Sequence, residues 1–126
     1  MASAVVSDNF ETSTGAIPQL GGADVSTRLC SAWVNFNGVG TVAIRASFNT
    51  SSITDNGVGD YTINFTTSFP DANYSLSGTT SSSNAQTIRG IFLSTGTAPT
   101  ASAVRINSAN YVSSEDNTYT SVQIFR

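Results

Sequence analysis

The amino-acid sequence predicts an all-β protein: an antiparallel β-sandwich preceded by an extended N-terminal arm. Three observations lead there. Good helix formers are scarce, with no Lys, few Leu and only Glu11 and Glu115 as glutamates. Val, Ile, Thr, Phe and Tyr fill the ordered-looking segments, and these residues suit a pleated, half-buried surface. The same segments alternate apolar and polar residues with period two, between clusters of turn-forming residues.

Residues 1–28 stand apart from that pattern. Phe10, Ile17, Leu20 and Val25 fall at irregular spacing among Ser, Thr, Asp and Gly, and Gly15, Pro18, Gly21 and Gly22 oppose a helix. This stretch is expected to be an extended arm, with residues 29–126 forming one β-sandwich domain. The first strand carries Cys30, Ala32, Val34 and Phe36 on one face, which puts Trp33 on the other with Ser31 and Asn35. An indole on the polar face calls for cover, so Trp33 is expected to contact the arm or a partner subunit.

The next runs follow the same rule. Val42, Ile44, Ala46 and Phe48 alternate with Thr41, Ala43, Arg45 and Ser47, while Tyr61, Ile63 and Phe65 alternate with Thr62, Asn64 and Thr66. Later sets are Ala72, Tyr74 and Leu76, then Val104 and Ile106, then Thr120, Val122 and Ile124. From Gln86 to Leu93 apolar residues occupy both faces, predicting a strand buried on two sides or bulged at Gly90. Asn37-Gly38-Val39-Gly40 and Asp55-Asn56-Gly57-Val58-Gly59-Asp60 read as hairpin turns. Pro70-Asp71, Thr79 to Asn84, Thr95 to Thr100 and Ser113 to Asn117 supply the remaining loops. Seven or eight short strands fit jelly-roll and immunoglobulin-like orders equally well.

Composition restricts the function classes. At 126 residues, one domain with one hydrophobic core is expected. Only 10% of residues are charged, and the formal charge is −3. The five cations, Arg28, Arg45, Arg89, Arg105 and Arg126, are scattered singly, whereas nucleic-acid binding requires a clustered positive footprint. No nucleic-acid partner and no membrane insertion are therefore expected: no stretch approaches the ~20 apolar residues of a membrane helix, and no signal peptide is recognisable. Cys30 stands alone, which rules out an intrachain disulfide, and it reads as a small buried hydrophobe.

Catalytic chemistry finds few parts. The chain has no His, so the commonest general base and metal ligand are missing. No catalytic residue, metal or cofactor is expected. A carboxylate pair could still run glycoside hydrolysis, the remotest of the readings considered. Asp55, Asn56 and Asp60 loosely suggest a calcium loop, but the run is short and lacks a closing bidentate Glu, so a hairpin is preferred.

One long segment is distinctive. It contains Ala32-Trp33-Val34-Asn35-Phe36-Asn37-Gly38, Gly40-Thr41-Val42-Ala43-Ile44-Arg45-Ala46-Ser47-Phe48-Asn49, Ser52-Ile53-Thr54-Asp55-Asn56-Gly57, Gly59-Asp60-Tyr61-Thr62-Ile63-Asn64-Phe65 and Phe69-Pro70-Asp71-Ala72-Asn73-Tyr74. Together these resemble the distal domain of tail fibres and related virion surface proteins of bacteriophages, often phages of aquatic bacteria. The resemblance implies a non-enzymatic structural protein on the virion surface, usually a homotrimer contributing to host-surface attachment through a glycan or protein. It also implies contacts with other virion proteins. Such domains normally end a much longer fibre, which leaves a capsid decoration role (cement or head-fibre) as the alternative. No binding residue carries over, because the shared motif is strand and turn framework. The residues themselves place any host contact on the loops, with Tyr111, Glu115 and Asp116 as candidate binding residues.

Overall fold

Two antiparallel four-stranded sheets face each other. The computed structural model describes residues 19–20, 23–24, 29–81 and 88–126. The expected arm lies outside these except for one short backbone pairing, between β1 (Gln19–Leu20) and β2 (Ala23–Asp24). The first sheet runs in the order β4 (Ala43–Phe48), β3 (Cys30–Asn37), β10 (Thr120–Phe125), β7 (Ser75–Thr80). The second runs β5 (Thr50–Gly57), β6 (Asp60–Phe65), β9 (Ala103–Asn110), β8 (Arg89–Leu93).

This order settles a choice that periodicity leaves open. In an immunoglobulin sandwich one sheet is ordered A-B-E-D and the other contains C, F and G. Here β5-β6-β9-β8 follows the A-B-E-D order, and β7-β10-β3 occupies the places of C, F and G. The strand in the G position comes first in the described domain instead of last. The pairing is therefore a circularly permuted immunoglobulin-like order, with β4 added at the edge.

The core is the set that alternation selects. Ala32, Val34 and Phe36 from β3, Tyr61, Ile63 and Phe65 from β6, Val104 and Ile106 from β9, and Val122 and Ile124 from β10 are all buried. Both central pairs of strands thus turn one face inward. Burying each large side chain contributes roughly 1.5–3 kcal/mol. Phe36 and Tyr61 meet edge to face across the sandwich, with ring centres 5.0 Å apart. At one end of the sandwich Phe65, Phe69 and Tyr74 form a second aromatic group, with centres 4.6 to 5.8 Å apart. Burial pushes the Tyr74 hydroxyl up to about 12, and its oxygen lies 3.1 Å from the Thr100 carbonyl it donates to.

The chain passes from one sheet to the other through a single residue. Asn49 lies between β4 and β5 with φ of 52°, a left-handed conformation that Asn tolerates better than most residues. Its side-chain oxygen accepts from the Thr67 amide at 2.7 Å, and its amide nitrogen donates to the Ser31 and Thr67 carbonyls. The corner is thereby tied to both flanking segments.

Three expectations are corrected. The β4 alternation does not mark a core face: all six residues of this edge strand are exposed. Pairing of Asn35 with Ala46 and of Phe36 with Ile44 leaves Arg45 as an extra residue, so the strand changes face at that bulge. Arg45 lies over the Tyr119 ring instead, 4.4 Å from its centre. In β8 the ladder with β9 continues unbroken from Arg89 to Leu93, without a bulge at Gly90. Nor is β8 buried on both sides: Ile91 packs on the core, while Phe92 and Leu93 are exposed. Cys30 is half-buried rather than buried, because β3 skips Ser31 in its register with β10.

Two ion pairs fasten the second sheet and the C-terminus. Arg105 on β9 grips Asp60 on β6 with two hydrogen bonds of 2.8 and 2.6 Å, holding the carboxyl below its usual range. Arg126 grips Asp71 likewise, and with the Asn73 amide holds that carboxyl down at about 2. Depressed carboxyls stabilise the fold fully above the unfolded value near pH 4, and the benefit disappears as pH falls through the folded value. Acid titration of stability should therefore show a decline between about pH 4 and pH 2 that Asp71→Asn reduces; an identical slope in the variant would contradict this. Ile63→Ala should cost about 2–5 kcal/mol in urea unfolding. Ile44→Ala on the exposed edge should cost less than about 1 kcal/mol, and equal losses would contradict the assignment of core and edge.

Candidate functional site

The loops gather at the end of the sandwich opposite the Phe65–Phe69–Tyr74 group. The β3–β4 loop, the β5–β6 turn at Val58-Gly59, Ser81 after β7, Arg89 at the start of β8, and the β9–β10 loop surround a shallow concavity of about 480 Å³. Its lining includes Val39, Val58, Arg89, Glu115, Asp116 and Asn117. The loop expected at Ser113–Asn117 therefore meets the turn expected at Asp55–Asp60, of which only Val58 and Gly59 lie outside the strands β5 and β6. Of the stretch expected as a loop from Thr79 to Asn84, Thr79 and Thr80 belong to β7, and the part beyond Ser81 lies outside the described residues.

The floor of this end is built by polar side chains in the core. Tyr61 is fully buried, so its hydroxyl requires a partner. It donates to Asp116 Oδ1 at 2.6 Å and lies 3.3 Å from the Gly38 carbonyl. Burial first, and the Asp116 carboxylate second, raise the Tyr61 hydroxyl well above its ordinary value, so it stays protonated as a donor. The same Asp116 oxygen accepts from the Gly59 amide at 2.8 Å. Gly59 in turn accepts from the Ser108 amide at 2.7 Å, and the Ser108 carbonyl accepts from the Glu115 amide at 2.9 Å. A Cβ at Gly59 would lie 2.3 Å from the Ser108 carbonyl oxygen, and φ there is +62°, so both space and conformation demand glycine.

A second chain of hydrogen bonds crosses between the sheets beneath the concavity. Asn117 Nδ2 donates to Ser108 Oγ at 2.8 Å, Ser108 Oγ to Thr80 Oγ1 at 3.2 Å, and Thr80 meets Thr120 at 3.3 Å. Asn117, Ser108 and Thr120 are all buried. Nearby, the Arg89 side chain is ion-paired with Glu115, whose other oxygen accepts from Asn110 Nδ2 at 2.6 Å.

These contacts separate the three loop residues singled out in the sequence. Glu115 and Asp116 line the concavity, yet their carboxylates hold internal donors and stitch the loop to β6, β8 and β9. Tyr111 is 92% exposed at the turn after β9, with its side chain outward. Sequence reasoning missed the residues that accompany it. Ile88, Val112 and Val58 are 86%, 74% and 64% exposed, and with Tyr111 they are the four most exposed large apolar side chains described. All four belong to the loop end. Each falls at a turn tip or strand end, where alternation gives no signal; apolar residues inside turn sequences were the available cue.

Trp33, expected to contact the arm or a partner, does point away from the core and is 38% exposed. It pairs across the ladder with Phe48, and Phe125 lies two residues beyond its other partner, Gln123. These rings occupy the outer face of the first sheet, toward the end remote from the loops. Among the described residues no cluster of three or more metal-binding side chains occurs. No family model, curated protein or solved structure matches the chain.

The Tyr61–Asp116 bond should be measurable. Tyr61→Phe and Asp116→Ala should each cost about 1–2 kcal/mol in urea unfolding. The double variant should reveal coupling of about 1 kcal/mol, and simple additivity would show that the bond contributes nothing. Tyr111→Ala should stay within about 0.5 kcal/mol of the parent.

Proposed function

We propose that this chain is a non-enzymatic bacteriophage virion surface protein, a fibre- or tip-type domain that contributes to host-surface attachment through its loop end. The observation that carries this reading is the concentration of exposed Tyr111, Ile88, Val112 and Val58 at the loop end of the sandwich, where Val58 also lines the concavity. Exposed apolar side chains on supported loops are costly in water and suit a contact surface. The resemblance of Ala32 to Tyr74 to phage fibre domains supplies the biological setting. Tyr111 brings a flat apolar ring with a hydroxyl, which suits a sugar face or a protein surface. Glycan hydrolysis gains no support from the carboxylates of the concavity, since Glu115 and Asp116 hold neighbouring donors in place.

A capsid decoration role is favoured by a different observation, the outer-face patch of Trp33, Phe48 and Phe125. That patch suits contact with another subunit or virion protein, and homotrimer formation belongs to the same proposal. The two readings separate experimentally. Purified protein should compete with phage for host cells, and Tyr111→Ser with Val112→Ser should weaken competition about tenfold or more, equivalent to ~1.4 kcal/mol, without changing the β spectrum. If the parent protein does not compete but binds capsids in a manner that Trp33→Ser abolishes, decoration is the function. Undiminished competition by the loop variant would overturn attachment through this end.

A further inference from the structure

The chain contains two Asn-Gly steps, Asn37-Gly38 and Asn56-Gly57, and the fold treats them oppositely. Asn-Gly is the dipeptide most prone to spontaneous cyclisation, because glycine has no side chain to hinder attack by its own amide nitrogen. At the first step that nitrogen is buried and occupied. The Gly38 amide donates to the Asn117 carbonyl at 2.9 Å, and a Cβ at this position would lie 2.3 Å from the Tyr61 hydroxyl oxygen. The Asn37 side chain is closed onto Val39, donating to its carbonyl at 2.7 Å.

The second step is open. Asn56 and Gly57 are exposed at the end of β5, beside the tight turn, and nothing lies within 4 Å of the position a Gly57 Cβ would take. The Gly57 amide donates to Asp55 Oδ1 at 3.0 Å, so a carboxylate already sits on the proton that cyclisation must remove. Asn56 Nδ2, the nitrogen that must leave, donates to Thr62 Oγ1 at 2.9 Å.

We propose that Asn56 is a site of spontaneous succinimide formation, selected over Asn37 by the fold and assisted by Asp55. The Gly57 nitrogen bonds to Asn56 Cγ while Asp55 accepts its proton. The Cγ–Nδ2 bond then breaks, and nitrogen departs as ammonia carrying that proton. Water opens the ring at either carbonyl, giving aspartate or isoaspartate. Each product places a new negative charge between Asp55 and Asp60. Isoaspartate also adds a methylene to the main chain, three residues before Gly59, whose amide is held by Asp116. The modification therefore alters the turn that presents Val58 at the loop end.

The test is ageing of the folded protein in mildly alkaline buffer, with peptide mass spectrometry and isoaspartyl methyltransferase labelling to locate the products. Asn56 should convert at least about tenfold faster than Asn37, a barrier difference of ~1.4 kcal/mol. In denaturant the two steps should converge. Asp55→Ser keeps a hydrogen-bond acceptor for the Gly57 amide but removes the carboxylate, and should slow Asn56 about tenfold while leaving Asn37 unchanged. Equal folded rates, or a difference that persists in denaturant, would overturn selection by the fold. An unchanged or faster Asp55→Ser variant would overturn the role of Asp55.

Discussion

A buried tyrosine hydroxyl cannot be left without a partner, and Tyr61 meets that requirement by reaching out of the core to a loop 55 residues further along the chain. Its ring packs on Phe36 from the facing sheet, while its oxygen ties Asp116 and approaches the Gly38 carbonyl. One side chain thus links both sheets, the β3–β4 loop and the β9–β10 loop. Asp116 passes the constraint to Gly59, and through Ser108 it reaches Glu115 and Arg89. The loop end owes its shape to this knot. It joins two of the four connections at this end, β3–β4 and β9–β10, directly, and reaches a third, the β5–β6 turn, through Asp116.

The sandwich is chemically graded along its length as a result. At the loop end the space between the sheets is spanned by Asn117, Ser108, Thr80 and Thr120, whose hydrogen bonds are directional. At the other end it is filled by Phe65, Phe69 and Tyr74. Hydrogen-bonded networks specify one arrangement where apolar packing tolerates several. Among the described residues, exposed apolar side chains include the loop tips at one end and Trp33, Phe48 and Phe125 toward the other.

Much of the framework was legible in the sequence, because burial on a strand is a local, period-two signal. Tyr61, Ile63, Val104, Ile106, Val122 and Ile124 were all recognisable that way, and so was the outward direction of Trp33. What escaped is set by partners distant in the chain. The bulges at Ser31 and Arg45 appear only when β3 is paired with β10 and β4, and each moves a residue off its expected face. The strand order joins β3 to β10 across most of the domain, a relation that local turn chemistry does not encode. The roles of Glu115 and Asp116 escaped for the same reason: a loop carboxylate looks solvated until the donors brought to it from β6 and β8 are known.

Amide hydrogen exchange at Gly38, Gly59 and Glu115 tests most directly whether the Tyr61 knot builds the loop end. These amides donate to Asn117, Asp116 and Ser108 respectively, and none lies within a strand. The account predicts that they exchange as slowly as the central strand amides of Ile63 and Val122. It also predicts that Asp116→Ala accelerates all three together while those strand amides keep their protection. Exchange of Gly59 and Glu115 at the rate of free loop amides in the parent protein would contradict it.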